Sequence, residues 1–291
     1  MLSSLPKYMP AAEAAQLAAR IAHYEARWSL RCGPAFPDLS YHYVAPAVLS
    51  DGSDAVLKLR GPGQQCTCEV AALQRFDGRG AARLLQADEE EGALLLERLQ
   101  PGTLLVELVE QGRDEEATSI AAGVMQKLWR RPPPEHQFPT VAQWAGALSK
   151  LRPHYGGTTG PFPRELVEEA ETTFAELTAN PEEQLLLHGD VHHFNILAAG
   201  REPWLAIDPQ GVIGERGFEL GPLLQNPRPL PASLLARRLD QLCEELHLDR
   251  SRTRAWAMAQ SVLSAWWCVE DGAGCEEVGI LCCRRLAEVP A

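Results

Sequence analysis

The chain of 291 residues is long enough for about two domains or lobes, and its 45% apolar and 23% charged residues are typical of a globular protein. Its formal net charge of −12 argues against a nucleic-acid partner, because phosphates require a basic face. No apolar run approaches the ~20 residues that span a bilayer, and the N-terminal MLSSLPKYMP lacks the basic and apolar regions of a signal peptide, so we expect a cytoplasmic protein with no membrane partner.

The eight cysteines have neither the spacing of a zinc knuckle nor that of a small disulfide-rich domain. We therefore expect reduced thiols, most of them buried. The acidic balance would suit a cationic small-molecule substrate. Nothing in the sequence indicates an obligate protein partner.

The first third of the chain is rich in strand patterns. Residues 11–30 have helical periodicity and predict an N-terminal helix. The segment YHYVAPAVLSDGSDAVLKLR, residues 41–60, predicts two strands joined by the turn SDGS. CTCEVAALQRFDGRGAARLL, residues 66–85, predicts a short helix that ends at the glycines of DGRG, and ALLLERLQPG, residues 93–102, predicts another strand.

Helical patterns predominate in the rest of the chain. DEEATSIAAGVMQKLWRRPPP predicts a helix that Asp114 caps and the prolines end. The apolar spacing predicts three further helices, at residues 166–177, 235–246 and 251–271. A short strand-like island lies between Leu185 and Asp208. This order predicts an α+β protein of two lobes.

The strand-like island, LLLHGDVHHFNILAAGREPWLAID, carries a set of oxygen-bearing side chains. NIL and WLAID are strand patterns, and a turn near Arg201 would place Asn195 opposite residue 207 or 208. Asp190 lies in the loop that enters this hairpin. Asp190, Asn195 and Asp208 would therefore converge, and oxygen ligands of this kind suit Mg²⁺ that is held together with substrate phosphates.

Zinc is the alternative metal, because His188, His192 and His193 are close in sequence. His188 and His192 would meet on one face only in a helix, whereas Gly189 and the flanking strand patterns argue against a helix there. No Glu follows His188, as it would in the zincin motif. A serine hydrolase is disfavoured because the sequence contains no G-x-S-x-G.

HGDVHHFN matches the H-G-D-x-H-x-x-N motif of the aminoglycoside phosphotransferase family, which is similar to the protein-kinase catalytic loop. IDPQG, with Asp208 thirteen residues after Asn195, stands where kinases have D-F-G. YVAPAVLSDGSDAVLKL, ALQRFDGRGAARLL and REPWLAIDPQGVIGERGFELGPLL resemble the streptomycin 6-kinase and hydroxyurea phosphotransferase group. The resemblance implies an α+β, bilobal protein-kinase-like fold, with a strand-rich nucleotide-binding lobe at 1–100 and a helical lobe at 101–291.

The resemblance also implies roles for individual residues. Asp190 would orient the acceptor hydroxyl and accept its proton, and Asn195 and Asp208 would hold Mg²⁺. ATP would be the phosphate donor. The implied nucleotide-binding residues are the turn over the phosphates, the lysine with its ion-pair partner, and the hinge: Ser50, Asp51, Gly52 and Ser53, then Lys58 and Glu69, then Glu97 to Leu99.

Six residues are candidates for contact with the substrate: His193, Glu219, Trp266, Trp267, Glu270 and Asp271. Aromatic rings and carboxylates at the end of a helix would stack on and pair with the guanidinium groups of a cationic substrate. For the two tryptophans a place in the core is favoured over substrate contact. For Glu219 we expect first a support that accepts backbone hydrogen bonds from the loop after Asp208, and substrate contact is the alternative.

The expected reaction is ATP-dependent phosphorylation of an aminoglycoside, with the 6-hydroxyl of streptomycin as the precedent that the resemblance supplies. Hydroxyurea or another small hydroxylated metabolite is the alternative acceptor. A nucleotide-binding pseudokinase is the alternative from another class. A pseudokinase is disfavoured because the set of implied active-site residues is complete. The set consists of Lys58, Glu69, Asp190, Asn195 and Asp208.

Overall fold

The N-terminal lobe is built on an antiparallel sheet, in the strand order β1-β2-β3-β5-β4. The computed structural model describes residues 6–7, 11–37, 39, 41–61, 66–227, 230–274 and 276–290. The elements of this lobe are α1 (Ala11–Arg27), β1 (Leu30–Cys32), β2 (Tyr43–Leu49), β3 (Asp54–Leu59), α2 (Thr67–Phe76), β4 (Leu84–Asp88) and β5 (Ala93–Glu97). The predicted helices and strands are confirmed, and β1 and β4 are additional strands.

Strand alternation in β3 decides which side chains face the second lobe. Ala55, Leu57 and Leu59 are fully buried in a cluster with residues of α1. Because successive side chains of a strand point to opposite faces, Val56 and Lys58 project from the other face of the sheet. The sequence AVLKL thus places one lysine on the face away from α1.

The C-terminal lobe is mostly helical. Its helices are α3 (Val106–Glu110), α4 (Asp114–Leu128), α5 (Val141–Ala145), a 3-10 helix (Gly146–Lys150), α6 (Leu151–His154), α7 (Arg164–Ala179), α8 (Arg216–Gln225), α9 (Ala232–Leu246), α10 (Arg250–Glu270) and α11 (Glu276–Ala287). Its strands are β6 (Pro101–Leu104), β7 (Leu185–Leu187), β8 (Ile196–Ala199), β9 (Trp204–Ala206) and β10 (Val212–Gly214). The four helices predicted in this part of the chain are confirmed, as α4, α7, α9 and α10.

Short strands in this lobe hold the loops on which the chemistry depends. β6, β8 and β9 form one small sheet, and β7 pairs with β10 in another. α10 packs against α7, α8 and α11 and forms the centre of the helical core. The predicted hairpin of β8 and β9 pairs with β6 and packs on α4 through β9.

The predicted cap at Asp114 is wrong. α4 begins at Asp114, and the preceding Arg113 makes no side-chain capping hydrogen bond. The carboxylate instead pairs with Arg237 and Arg238 of α9, and the Nε of Arg238 donates to its Oδ2 at 3.1 Å. Arg238 is fully buried. A buried arginine requires such a partner, and this demand outweighs the local preference of aspartate for a cap.

Two expectations drawn from composition concern membranes and thiols. None of the helices in the described part of the chain has the length and apolar character needed to span a bilayer. Cys32, Cys66, Cys68 and Cys243 are free thiols. The expectation of reduced cysteines is wrong for Cys268, which is disulfide-bonded.

Candidate active site

A buried ion-pair network joins the two lobes. The ammonium of Lys58 lies 2.8 Å from Oε1 of Glu69, and it also pairs with Asp208. The side chain of Lys58 is 5% exposed and that of Glu69 is 0% exposed. Burial would by itself lower the pKa of Lys58, but the two carboxylates raise it. The lysine is therefore held as a cation between α2 and the end of β9.

Glu69 has a second cationic partner. The Nη2 of Arg60 donates to Oε2 of Glu69 at 2.7 Å, and Nε of the same guanidinium lies at 3.2 Å. Each carboxylate oxygen of Glu69 thus has its own cation. The predicted ion pair between Lys58 and Glu69 is present.

Asp208, two residues after the end of β9, has an unusual backbone conformation. Its φ of 65° lies in the left-handed region, which aspartate tolerates better than most residues other than glycine. Burial alone raises the pKa of its carboxyl, but the charge of Lys58 outweighs this and lowers the pKa to about 2. The side chain remains 39% exposed. At neutral pH Asp208 is thus an ionised carboxylate with an open side.

The loop between β7 and β8 brings Asp190 and Asn195 into contact. Nδ2 of Asn195 donates to the backbone oxygen of Asp190 at 3.0 Å and to its Oδ2 at 3.3 Å. The amide oxygen of Asn195 is therefore turned away from these acceptors, as a ligand of a cation must be. Ile207 donates its N–H to the backbone oxygen of Asn195 at 2.9 Å. This contact confirms the predicted pairing of Asn195 with residue 207.

His188 braces this loop from inside the protein. Its ring is fully buried, and burial lowers its pKa to about 4, so the ring is neutral. Nε2 lies 2.9 Å from the backbone oxygen of Ile207, and Nδ1 accepts the N–H of Asp190 at 3.3 Å. The first contact requires the proton on Nε2. His188 thereby ties the end of the hairpin to the loop that carries Asp190.

The zinc alternative does not agree with these contacts. Both ring nitrogens of His188 are engaged with the backbone. In the described ranges, no group of three or more His, Cys, Asp or Glu side chains is arranged to hold a metal ion. Magnesium needs fewer protein ligands than zinc, since one or two carboxylates together with substrate phosphates suffice. The oxygen set of Asn195 and Asp208 fits that demand.

A sequence model of the family described as aminoglycoside/hydroxyurea antibiotic resistance kinase matches residues 27–272. The chain belongs to this family. It is similar to the hydroxyurea phosphotransferase of Kitasatospora aureofaciens, at 39% identity over 88% of this chain and 74% of the relative. It is also similar to the streptomycin 6-kinase of Streptomyces griseus, at 34% identity over 89% of this chain and 85% of that protein.

Solved structures agree with the fold of this kinase family. An aminoglycoside phosphotransferase in complex with ADP and hygromycin B superposes with a TM-score of 0.66 at 15% identity, covering 93% of this chain and 98% of that one. A choline kinase from Streptococcus pneumoniae superposes with a TM-score of 0.65 at 10% identity, covering 94% and 99%. The protein-kinase-like fold is confirmed. As a member of the antibiotic resistance kinase family, the protein is an ATP-dependent phosphotransferase that acts on a hydroxyl.

In this member of the family, Glu219 of α8 supports the loop between β7 and β8 that carries Asp190. Its Oε1 accepts the N–H of Gly189 and its Oε2 accepts the N–H of His188, each at 2.8 Å. The side chain is fully buried. A carboxylate with both oxygens engaged and no exposed surface has no access to a substrate, which disfavours the alternative of substrate contact. The expected backbone support is present, but it holds the loop of Asp190 and not the loop after Asp208.

The burial of Glu219 makes stability depend on pH. Burial raises the pKa of Glu219 from 4.5 to about 7, and the two N–H groups only partly oppose it. Because the folded protein binds this proton more tightly than the unfolded chain, the contribution is complete below pH 4.5 and is lost as the pH rises through about 7. Across this range wild type should lose up to about 3 kcal/mol more unfolding free energy than Glu219→Gln in urea titrations. Equal pH slopes for the two proteins would contradict the assignment.

The predicted substrate contact of His193 is also wrong. Its ring is fully buried, and neither ring nitrogen has a hydrogen-bond partner among the described residues. Burial lowers its pKa to about 3, which keeps the ring neutral. The histidine at the site is the preceding one, His192, whose Nε2 lies 3.6 Å from Oδ2 of Asp190 and 3.2 Å from Nδ2 of Asn195. The sequence feature that indicates His192 is its place as the second histidine of the motif H-G-D-x-H-x-x-N.

The turn predicted to cover the phosphates is an exposed hairpin turn between β2 and β3. Oδ1 of Asp51 accepts the N–H of Ser53 at 2.9 Å and its hydroxyl at 2.6 Å. Gly52 has a φ of 85°, which a residue with a side chain rarely adopts. These contacts preform the turn that begins at Ser50. Its contact with phosphates stays a prediction.

The predicted hinge is tied to the second lobe by a side chain that the sequence did not single out. Arg201, in the turn between β8 and β9, donates to both carboxylate oxygens of Glu97, from Nε at 3.0 Å and Nη2 at 2.8 Å. The N–H of Glu97 donates to the backbone oxygen of Arg83 at 2.8 Å, so this group is not available to an adenine edge. Leu99 is buried beside Leu205. Glu97 therefore orients the hinge through its side chain.

The four candidates near the end of α10 separate into core and surface. Trp266 is 2% exposed and belongs to the helical core, so its predicted substrate contact is wrong. Trp267 is half-buried and meets Trp144 edge to face, with 5.4 Å between ring centroids and 87° between planes. Asp271 is exposed, and Glu270 lies at the surface with its side chain 24% exposed. One residue along a helix rotates a side chain by about 100°, which separates the two tryptophans.

Proposed function

We propose that this kinase transfers the γ-phosphate of ATP to a hydroxyl of an aminoglycoside, with the 6-hydroxyl of streptomycin as the leading acceptor. The observations that carry the proposal are two contacts at the open end of the β8–β9 hairpin: Asn195 donates to Asp190, and Lys58 pairs with Asp208. Ile207, the residue before Asp208, donates its N–H to the backbone oxygen of Asn195 and thereby links the two contacts. The streptomycin 6-kinase relative, at 34% identity, supports the acceptor. The net charge of −12 favours a cationic acceptor of this kind.

Asp190 is the proposed base. Its side chain is 39% exposed, so an acceptor hydroxyl has access to it. The amide of Asn195 and the ring of His192 lie against one side of the carboxylate and orient it. Most of the rate enhancement in phosphoryl transfer comes from positioning and charge neutralisation, and a fixed carboxylate contributes by aligning the hydroxyl and accepting its proton.

The proposed donor side consists of Lys58, the turn Ser50 to Ser53 and the hinge from Glu97 to Leu99. Lys58 is a desolvated cation held by Glu69, and it would neutralise charge on the α and β phosphates. The exposed turn would close over the phosphates. A reaction that consumes ATP requires a compartment that contains it, which supports a cytoplasmic location.

Asn195 and Asp208 are the proposed magnesium ligands. Asp208 supplies an ionised carboxylate, because Lys58 keeps its pKa at about 2. Asn195 supplies an amide oxygen whose orientation the contact with Asp190 determines. When bound, Mg²⁺ neutralises the charge that builds up on the β and γ phosphates.

Hydroxyurea is the second candidate acceptor. The observation in its favour is the hydroxyurea phosphotransferase relative, which is 39% identical over 257 residues. Hydroxyurea is small and uncharged, so the two candidates place different demands on the acceptor side of the site. The same three residues, Asp190, Asn195 and Asp208, would serve both reactions.

A coupled assay of ADP release tests the acceptor. The purified protein should release ADP above the ATPase background with streptomycin, and Asp190→Asn should not. Hydroxyurea, neutral sugars and amino alcohols complete the panel. Turnover with hydroxyurea but not with streptomycin would replace the leading acceptor by the second candidate. Binding of Mg·ATP without turnover of any acceptor would instead indicate a pseudokinase.

A further inference from the structure

Two contacts form a short ladder between the 3-10 helix region and the end of α10. On the first rung, Trp144 of α5 meets Trp267 edge to face, with 5.4 Å between ring centroids. On the second rung, Nζ of Lys150 lies 3.1 Å from Oε1 of Glu270. Trp267 and Glu270 are three residues apart on one helix and share a face. The aromatic pair and the ion pair therefore form one continuous surface.

The first rung lies against the catalytic loop. A Cβ built on Gly189 would come within 2.8 Å of Cη2 of Trp144, so the indole reaches the backbone of the residue before Asp190. Trp144 is half-buried, which leaves part of its ring exposed. Gly189 has a φ of 86° and no side chain to block this approach. The aromatic rung thus begins beside Gly189, the residue before the proposed base, and the ion pair with the exposed Lys150 forms the other end of the ladder.

The second rung carries an exchangeable cation. The side chain of Lys150 is 69% exposed, whereas that of Glu270 is 24% exposed. An exposed ion pair of this kind contributes little to stability, so a cation of higher complementarity can replace the lysine. A guanidinium group offers two parallel N–H donors to a carboxylate and stacks on indole rings, which an ammonium does less well.

We propose that Glu270 is the specificity-determining carboxylate for cationic acceptors, that Trp144 and Trp267 form the adjoining wall, and that Lys150 holds Glu270 until a guanidinium-bearing acceptor takes its place. The inference rests on the proposed kinase function and adds to it the residue that separates charged from uncharged acceptors. Streptomycin, which carries guanidinium groups, needs Glu270. Hydroxyurea does not.

Steady-state ADP release with both acceptors tests the proposal in three variants. Glu270→Gln should raise the KM for streptomycin by about tenfold, since it removes one partly exposed charge-assisted pair. Lys150→Gln should lower this KM by about twofold to threefold, because it removes a weak competitor. In the double variant the effect of Lys150→Gln should vanish, because the lysine acts only through Glu270. The kcat, the KM for ATP and the KM for hydroxyurea should change by less than about twofold.

A matched control is Glu116→Gln on α4. Glu116 is a carboxylate that pairs with Arg113 at 2.7 Å, and it is not part of the ladder. Glu116→Gln makes the same change in net charge as Glu270→Gln and should leave kcat and every KM unchanged. An equal rise in the streptomycin KM in this control, or an unchanged KM in Glu270→Gln, would overturn the proposal.

Calorimetric binding of streptomycin in the presence of a non-hydrolysable ATP analogue separates this inference from the proposed function. Weaker binding of streptomycin to Glu270→Gln than to wild type, without turnover by wild type, would support the role of Glu270 in acceptor binding and refute the kinase reaction. Turnover of hydroxyurea by a wild-type protein that does not bind streptomycin would refute the specificity role of Glu270 and leave the kinase function intact. Absence of both binding and turnover would refute both.

Discussion

Replacing Asp190 by asparagine should lower kcat by about 10²–10⁴-fold with any acceptor that the wild type phosphorylates. Asparagine keeps the shape of the side chain and the contact with Asn195, but it has no basicity with which to accept the hydroxyl proton. The Kd of Mg·ATP should stay within about twofold, because Asp190 is not among the proposed ligands of the metal or the phosphates. ADP release measures the first quantity and calorimetry the second.

Asp240→Asn is the matched control for this substitution. Asp240 is an exposed carboxylate of α9 that pairs with Arg250 at 2.6 Å, and the same change of charge there should not alter kcat. A wild-type kcat in Asp190→Asn would show that another group accepts the proton. A large loss of ATP affinity in that variant would instead assign Asp190 to the donor side.

Replacing Lys58 by methionine should lower kcat/KM for ATP by about 10²–10³-fold, the usual effect of removing one preorganised donor to a developing charge. The substitution also removes a partner from two carboxylates, of which Glu69 is fully buried. Breaking a buried pair in this way costs about 3 kcal/mol, at the lower end of the range, because Arg60 still neutralises Glu69. Urea unfolding and ATP kinetics should therefore both change.

Arg60→Met separates the loss of stability from the loss of kcat/KM for ATP that are both expected in Lys58→Met. It removes the other cation of Glu69, whose contact is 2.7 Å long, while it keeps the pairing of Lys58 with Asp208. Stability should fall and the KM for ATP should stay close to that of wild type. If Arg60→Met raised the KM for ATP as much as Lys58→Met, the ion pairs would be structural and the proposed contact of Lys58 with phosphates would be wrong.

Much of the site could be predicted from short-range patterns. The spacing of Asp190 and Asn195 lies within one loop, and the turn of the following hairpin determines which residue faces Asn195. The resemblance to kinases implied Lys58 and its pairing with Glu69, and strand alternation in AVLKL agrees with the face on which the lysine lies. Such relations span few residues, so local geometry and the family motif suffice to derive them. The division of the lobes at residue 100 stays a prediction.

The errors share a different physical origin. Neighbours in sequence, such as His192 and His193 or Trp266 and Trp267, point in different directions, and only the packing around them decides which one is buried. The ties of Glu97 to Arg201 and of Asp114 to Arg238 span 104 and 124 residues. No local pattern encodes the partner of a charge at that separation.

The sequence by itself determined the strand-rich first third and the helical remainder, the H-G-D-x-H-x-x-N loop with Asp190 and Asn195, and the family to which the chain belongs. These properties depend on residues close together along the chain. Only the tertiary structure decided that Glu219 supports the loop from the core, that Arg201 holds the hinge, and that Trp144 and Lys150 face the end of α10. Burial and ion pairing act between surfaces that meet only after folding, and the proposed acceptor side of this site consists of such surfaces.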